Sequence, residues 1–264
     1  MRNQPYLLCL DIDGTLTVTP EGDIPQENRE AILHARNAGH FVCVNTGRGW
    51  HNMPQNLKDS TLFDGWICAN GSYFRVGNRV LRNETIPHPI AHELLNYFFY
   101  EDTRFCLFEG ETTLLKVREH SELYGSPGTQ IHTPEELDTR FAGARFNVVS
   151  CEGHLSKEFR DRFGTRLNIF QCATYADCTS HGCSKAVGMQ IAAHHFGIPE
   201  THTAAFGDSG NDLPMFETAG ISIAVGNAPE DVRAAADHVT ASNTECGVAK
   251  AIERLFLSDG GLTI

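Results

Sequence analysis

Short runs of consecutive apolar residues, each closed by a polar or glycine-containing stretch, alternate with segments of helical spacing from the start of the chain. Residues 6–10 form the first apolar run and lead into Asp11-Ile12-Asp13-Gly14. Residues 25–38 read as a helix, with Pro25 near the first turn and Gly39 as the stop. A β-rich run at 41–45, a second helix at 48–57 and an apolar run at 66–69 that ends on Asn70-Gly71 follow. Strand, helix, strand, helix, strand predicts a parallel sheet with helical crossovers. The last third resumes the rhythm, with a helix at 184–196 closed by Gly197 and Pro199, then strands at 203–206, 221–225 and 238–240. Helices at 212–218 and 230–236 separate them, and a final helix at 245–257 carries Val248, Ile252 and Leu255 at helical spacing.

The middle reads differently. Strand-like stretches at 73–76 and 79–86 flank Gly77-Asn78, a hairpin signal. A helix at 91–100, strands at 104–108 and 112–117, and strands at 145–150 and 167–173 around a helix at 155–163 complete an α+β insert. The predicted fold is α/β: a Rossmann-like parallel-sheet core with helices on both faces, plus an inserted α+β domain. Residues 1–78 and 182–264 form the core and 79–181 the insert, with hinges near Gly77 and Gly182.

Composition narrows the function. With 41% hydrophobic and 20% charged residues in 264, the chain can bury a proper core and reads as soluble and globular. No stretch approaches the roughly 18 uninterrupted apolar residues of a membrane span, and residues 1–6 lack the layout of a secretory leader. The expected location is the cytoplasm, with no membrane and no obligate protein partner. The net charge of −12 comes without a dense Lys/Arg run, which argues against nucleic acid. An anionic ligand must then be held by a local arrangement against the overall field. Nine cysteines are scattered along the chain, and Cys9, Cys43 and Cys68 sit inside apolar runs as small hydrophobes. Reduced thiols are the expected state. Cys172, Cys178, His181 and Cys183 cluster, but at spacings that match no common zinc pattern.

Ligands of an open parallel sheet bind at the carboxyl ends of its strands, and four such places carry compatible chemistry. Asp11 and Asp13 follow the first strand two residues apart, so both carboxylates can face one crevice. Acids that close need a cation or a shared proton, and they supply a nucleophile beside a general acid. Either alone would be an ordinary turn or cap residue. Thr46, in Asn45-Thr46-Gly47-Arg48, offers a hydroxyl and amides for a phosphate oxygen, although singly it reads as a helix cap. Lys185 could hold Asp11 and neutralise phosphate charge; alone it reads as a surface lysine. Gly207-Asp208-Ser209-Gly210-Asn211-Asp212 has the oxygen ligands a hard cation such as magnesium wants, without the spacing of a calcium-binding EF-hand loop.

Together these residues resemble the haloacid dehalogenase (HAD) superfamily of phosphotransferases, and most closely its Cof-type branch (subfamily IIB). Asp11-Ile-Asp-Gly-Thr-Leu16 is similar to that family's first motif, Thr46-Gly-Arg48 to its second, Lys185 to its third-motif lysine and Gly207 to Asp212 to its fourth. The likeness runs on through Ala224 to Ala228, Ala236-Asp237 and Gly247-Val248, and covers the core at both ends. Ala186 departs from the glycine that often follows the lysine. The resemblance implies a phosphatase acting on a small phosphorylated metabolite, with Mg2+ as cofactor. Asp11 would attack phosphorus, and Asp13 would protonate the leaving oxygen and later activate water. Magnesium would be held by the Asp11 carboxylate, the Asp13 backbone carbonyl and the Asp208 carboxylate. Thr46, Gly47, Arg48, Lys185 and Asn211 would hold the phosphoryl group. Asp212 is either a residue beyond the metal's direct ligands or a partner of Lys185, the former preferred.

Two rivals stand beside this reading. A phosphomutase of the same superfamily can share the first motif through Thr17, but the compact fourth motif looks more like the Cof-type phosphatases. A metabolite sensor without turnover has no need of a nucleophile. Substrate choice falls to the insert, where Arg118, Tyr124, Arg145 and the loop of Cys178 and His181 are candidate contacts, although each reads first as a solvated or core residue.

Overall fold

The computed structural model describes residues 4–18, 23–118 and 128–257. In chain order its strands are β1 Leu7–Leu10, β2 Phe41–Asn45, β3 Gly65–Cys68, β4 Tyr73–Val76 and β5 Arg79–Asn83. The insert adds β6 Cys106–Glu109, β7 Leu114–Lys116, β8 Thr129–Gln130, β9 Val148–Glu152, β10 Leu167–Gln171 and β11 Tyr175–Ser180. The chain then returns through β12 Thr203–Gly207, β13 Ile221–Ala224 and β14 His238–Val239.

The core sheet runs β14-β13-β12-β1-β2-β3-β4-β5. From β14 to β3 neighbouring strands are parallel, and the β4–β5 hairpin closes the edge antiparallel. Its central strands are buried on both faces, as helical crossovers require. Leu8, Leu10, Val42, Val44, Ala204, Phe206 and Ile223 point to the side covered by the helices Gln26–Asn37 and Gly247–Ile252. The alternating residues Leu7, Cys9, Cys43, Ile67, Ala205 and Ala224 face the helices Lys185–Phe196 and Leu213–Thr218.

The insert folds on a second sheet, β10-β11-β9-β6-β7-β8, and makes the cap. One face of this sheet, with Cys106, Phe108, Val149, Cys151, Ala176 and Cys178, packs under the helices His88–Tyr100 and Lys157–Phe163. Strand alternation sends Leu107, Glu109, Ser150 and Asp177 to the opposite face. Leu107 pairs across with Ser150, and Ser150 with Asp177.

Three expectations need correction. The helix at 48–57 is confined to Gln55–Lys58, and the preceding residues form successive turns, Asn52 N–H to the Gly49 carbonyl and Met53 N–H to that of Trp50. Pro54 disfavours a helical Met53, and the turns carry Arg48 toward the first strand's acids. The final helix is broken: Cys246, at φ 56°, separates a 3-10 turn at Asn243–Glu245 from the α-helix Gly247–Ile252, which widens into a π-helix over Glu253–Leu257. The hairpin around Gly77 belongs to the core sheet, so the chain leaves the core after Asn83 and Gly77 is no hinge. The strand β11 was not foreseen at all.

A left-handed turn after β3 ties these parts together. Ala69, Asn70 and Gly71 have φ of 51°, 49° and 81°, a costly sequence of conformations for non-glycine residues. Asn70 N–H donates to the Thr46 carbonyl at 3.1 Å and Ala69 N–H to that of Arg48 at 2.8 Å. A Cβ on Gly71 would fall 2.0 Å from the Ser184 carbonyl oxygen, immediately before the Lys185 helix. Gly71→Ala should therefore cost ~2 kcal/mol or more and lower Tm by roughly 4–8 °C. Gly77→Ala, with nothing within 4 Å of an added Cβ, should cost less. Thermal unfolding of both variants checks the ranking, and equal losses would remove the Gly71–Ser184 contact as its cause.

Candidate active site

β1 and β12 lie side by side, and Asp11 N–H donates to the Phe206 carbonyl at 3.0 Å, so the loops after both strands open at one edge. Asp11 is 4% exposed, and Lys185 and Asp212 are fully buried. Lys185 Nζ donates to Asp11 Oδ1 at 2.7 Å and to Asp212 Oδ1 at 2.5 Å. Ser184 caps the lysine's helix, its hydroxyl accepting from Val187 N–H, which fixes where the long side chain starts. Asp212 Oδ2 in turn accepts from the backbone N–H groups of Asp208 and Ser209, both at 2.9 Å. Asp212 thus partners Lys185 and folds its own loop. Ala186 in the glycine position leaves this arrangement intact, packed in the core beside Met189.

Asp208 accepts from the Thr15 hydroxyl at 2.8 Å, and one of its oxygens lies within 4.8 Å of an Asp11 oxygen. Gly14, at φ 81°, lets them approach: a Cβ there would sit 2.5 Å from Asp208 Oδ2. Asp11, Asp208 and Asp212 each bring one oxygen within 4.8 Å of the others. Burial pushes the Asp11 carboxyl well above the ordinary range; Lys185 opposes this, and Asp212, Asp208 and Asp13 add to it. Burial also raises Asp208, helped by the Asp212 charge, to about 6. Burial works against the Lys185 charge too, yet Asp11 and Asp212 outweigh it and keep the ammonium protonated. One lysine among three close acids leaves excess negative charge, and a hard divalent cation with oxygen ligands fits that deficit.

Asp13 stands on the cavity side, where Arg48 grips both of its oxygens at 2.7 Å. The sequence placed Arg48 on phosphate; here it binds Asp13. Thr46 is buried, and its hydroxyl accepts from Arg48 N–H at 3.2 Å. Asn211, also buried, donates to Asn70 Oδ1 at 3.1 Å while its own oxygen accepts from the Ser209 hydroxyl. Asp11, Asp13, Thr46, Gly47, Arg48 and Asn211 all line one cavity of about 240 Å³ between core and cap.

The cap wall of this cavity escaped sequence reasoning. Glu109 from β6, Ser150 from β9, and Thr174, Tyr175 and Asp177 at and beside β11 complete the lining. Asn70 Nδ2 donates to Asp177 Oδ2 at 2.8 Å and Gly49 N–H to Glu109 Oε2 at 2.9 Å, each a bond from core to cap. The one available signal was a charged residue between two small apolar neighbours, as in Ala176-Asp177-Cys178. The candidate cap contacts lie elsewhere. Arg118 donates to the Phe98 and Phe99 carbonyls, and Arg145 to that of Ala144. Cys178 is buried among the cap's apolar side chains, and His181 is exposed on a turn. Tyr124 lies outside the described residues.

Comparison with known proteins gives the family. A family model described as haloacid dehalogenase-like hydrolase matches residues 8–252. The chain belongs to that family, and within it to the Cof-type phosphatases of subfamily IIB. It is similar to the Bacillus subtilis 5-amino-6-(5-phospho-D-ribitylamino)uracil phosphatase YcsE, 30% identical over 95% of this chain and 96% of the relative. The Escherichia coli pyridoxal phosphate phosphatase YbhA is 24% identical over 93% of this chain and 97% of its own. Among solved structures, the subclass IIB sugar phosphatase BT4131 superposes with a TM-score of 0.82 at 29% identity, over 94% of this chain and 98% of that one. The protein is a phosphatase. Among the described residues no helix is long and apolar enough to cross a membrane.

The two cap acids make stability depend on pH. Burial lifts Glu109 to about 7, with the Gly49 amide opposing and the Asp177 charge adding to it. Burial lifts Asp177 to about 6 against the Asn70 and Ser150 donors. Both values exceed the ordinary carboxylate range, so the folded state binds more protons than the unfolded one between about pH 4 and 7. Stability from these groups is present at the acid end of that window and is lost as pH rises through it. Glu109→Gln should flatten the fall, gaining on the parent in Tm as pH rises from about 5 to 8. Thermal melts of both proteins across that range, without metal, test this. Parallel profiles would mean that Glu109 is not held protonated.

Proposed function

We propose that the protein hydrolyses a small phosphorylated metabolite, a sugar phosphate or similar phosphomonoester, in a magnesium-dependent reaction through an aspartyl-phosphate on Asp11. The observation that carries this reading is a buried carboxylate at the cavity floor, held by Lys185 on one oxygen, with a second acid, Asp13, on the cavity wall. The activities named for the relatives, on a phosphoribitylamino uracil and on pyridoxal phosphate, support a small phosphomonoester.

The Asp11 carboxylate forms a bond to phosphorus as the bond to the leaving oxygen breaks, and Asp13 delivers a proton to that oxygen. Asp13 then takes a proton from water, which attacks phosphorus, releases phosphate and restores Asp11. Arg48 aims Asp13 at the cavity but occupies both of its oxygens, so proton donation requires one of those bonds to open. Lys185, Thr46 and Asn211 bind phosphoryl oxygens, and Lys185 keeps Asp11 from rotating away. Asp11, Asp208 and the Asp13 backbone carbonyl would hold magnesium, which when bound supplies positive charge against the phosphoryl oxygens. Asp212 positions Lys185 and the Asp208 loop. Nine free cysteines support a reducing, cytoplasmic setting.

Asp11→Asn should abolish turnover while leaving the fold intact, since an amide is nearly isosteric but a poor nucleophile. Phosphate release from the purified variant, before and after chelation of metal, decides this, and near-normal rates or indifference to chelation would end the reading. Asp13→Asn separates a general acid from a bystander. The single-turnover rate of enzyme phosphorylation should drop by about 10²–10⁴-fold with a sugar phosphate, whose alkoxide needs a proton. With nitrophenyl phosphate the drop should be much smaller. Equal losses on both substrates would remove Asp13 from that role.

A further inference from the structure

The stretch of the cap wall formed by Glu109, Ser150 and Asp177 is rich in acceptors, beside the hydroxyls of Thr174 and Tyr175. Glu109 and Asp177 are each 2% exposed, and the Ser150 hydroxyl lies between them, 3.1 Å from Glu109 Oε1 and 2.8 Å from Asp177 Oδ1. That hydroxyl has one hydrogen and can satisfy only one acid at a time. The core gives Glu109 the Gly49 amide and the Asn52 side chain, and gives Asp177 the Asn70 amide. Two carboxylates offer about eight lone-pair sites between them, well beyond these donors. Among the described residues lining the cavity the one cation is Arg48, already engaged on both oxygens of Asp13. Lys116 shares the Leu107 face of the cap sheet but stands beyond Leu107, away from Ser150, and does not line the cavity.

A phosphomonoester seated on Asp11 must point its leaving group at this wall. Hydroxyl or ammonium groups would find acceptors without donors of their own. A carboxylate or second phosphate would meet two acids, and like charges at close quarters in a desolvated site are costly. We infer that Glu109 and Asp177 select a leaving group bearing hydroxyl or amino donors and reject one bearing a second anionic group. This inference rests on the phosphatase reading above and adds a charge rule to it. Neither residue takes part in the bond changes at phosphorus.

A matched pair tests it. Sorbitol 6-phosphate and 6-phosphogluconate differ only in a terminal alcohol against a carboxylate. The measurement is the ratio of their kcat/KM values at about pH 8, above the values of about 7 and about 6 to which burial lifts Glu109 and Asp177. The parent should favour the alcohol by about 30-fold or more. Glu109→Gln and Asp177→Asn should each shrink that ratio by roughly 5–10-fold, by losing rate on the alcohol and gaining on the acid. A partly unfolded variant loses both rates equally, so the ratio survives a folding defect. A parent ratio within about 3-fold of one would overturn the rule. A ratio unchanged in both variants would overturn its assignment to these residues. Nitrophenyl phosphate, given to the parent alone, separates the two levels. Turnover on it with a flat ratio sinks the inference and spares the phosphatase reading, whereas no turnover on any phosphate ester sinks both.

Discussion

The buried ammonium of Lys185 is the interaction on which the site depends. It joins Asp11, after the first strand, to Asp212, after the twelfth, and comes itself from the helix by which the chain re-enters the core. Burying these charges is unfavourable unless each is paired, and removing one partner of such a set leaves an uncompensated charge behind. The cluster therefore fixes the relative positions of β1, the Lys185 helix and the β12 loop more tightly than apolar packing alone. The loop amides of Asp208 and Ser209 close on Asp212 and bring Asp208 to Asp11.

Around that centre the fold has been bent to let polar groups through. The turn at Ala69–Gly71 adopts left-handed conformations and packs against the start of the Lys185 helix. Its reward is the placement of Asn70, whose amide meets Asn211 on the core side and Asp177 on the cap side. A single side chain thus connects the fourth-motif loop to the insert. Gly49 does the same for Glu109. Core and cap meet through hydrogen bonds to two buried carboxylates, an arrangement sensitive to any charge entering the cavity between them.

The alternation within the cap sheet explains why one domain can be both a packed unit and a substrate wall. Residues of one parity in β6, β9 and β11 bury against two helices, and those of the other parity face the core. A slip of one residue in any of these strands would send a cysteine or phenylalanine into the cavity and an acid into the apolar layer. Register in the cap is therefore fixed by burial, and the polarity of the wall follows from it.

The amino-acid sequence alone determined the parallel core and the residues at its strand ends. Apolar runs that stop at Asp11, Thr46 and Gly207 place those residues on one edge of any parallel sheet, whatever the details of packing. Asp11-Ile-Asp-Gly-Thr-Leu16 and the compact Gly207–Asp212 loop are local strings whose chemistry survives without coordinates. The turns at 48–54 were not legible, because Arg48 is drawn to Asp13 across the site and Pro54 breaks the helical pattern at one position. Nor was the role of Asp212, whose choice between the lysine and the metal's surroundings depends on which groups lie within reach of its oxygens. Tertiary structure alone decided the cap wall. Glu109, Ser150 and Asp177 lie on three strands separated in sequence, and nothing in the local string around any of them marks it as part of a site. Only the helices that cover the other face of their sheet, and the core amides that meet them, turn three isolated residues into one surface.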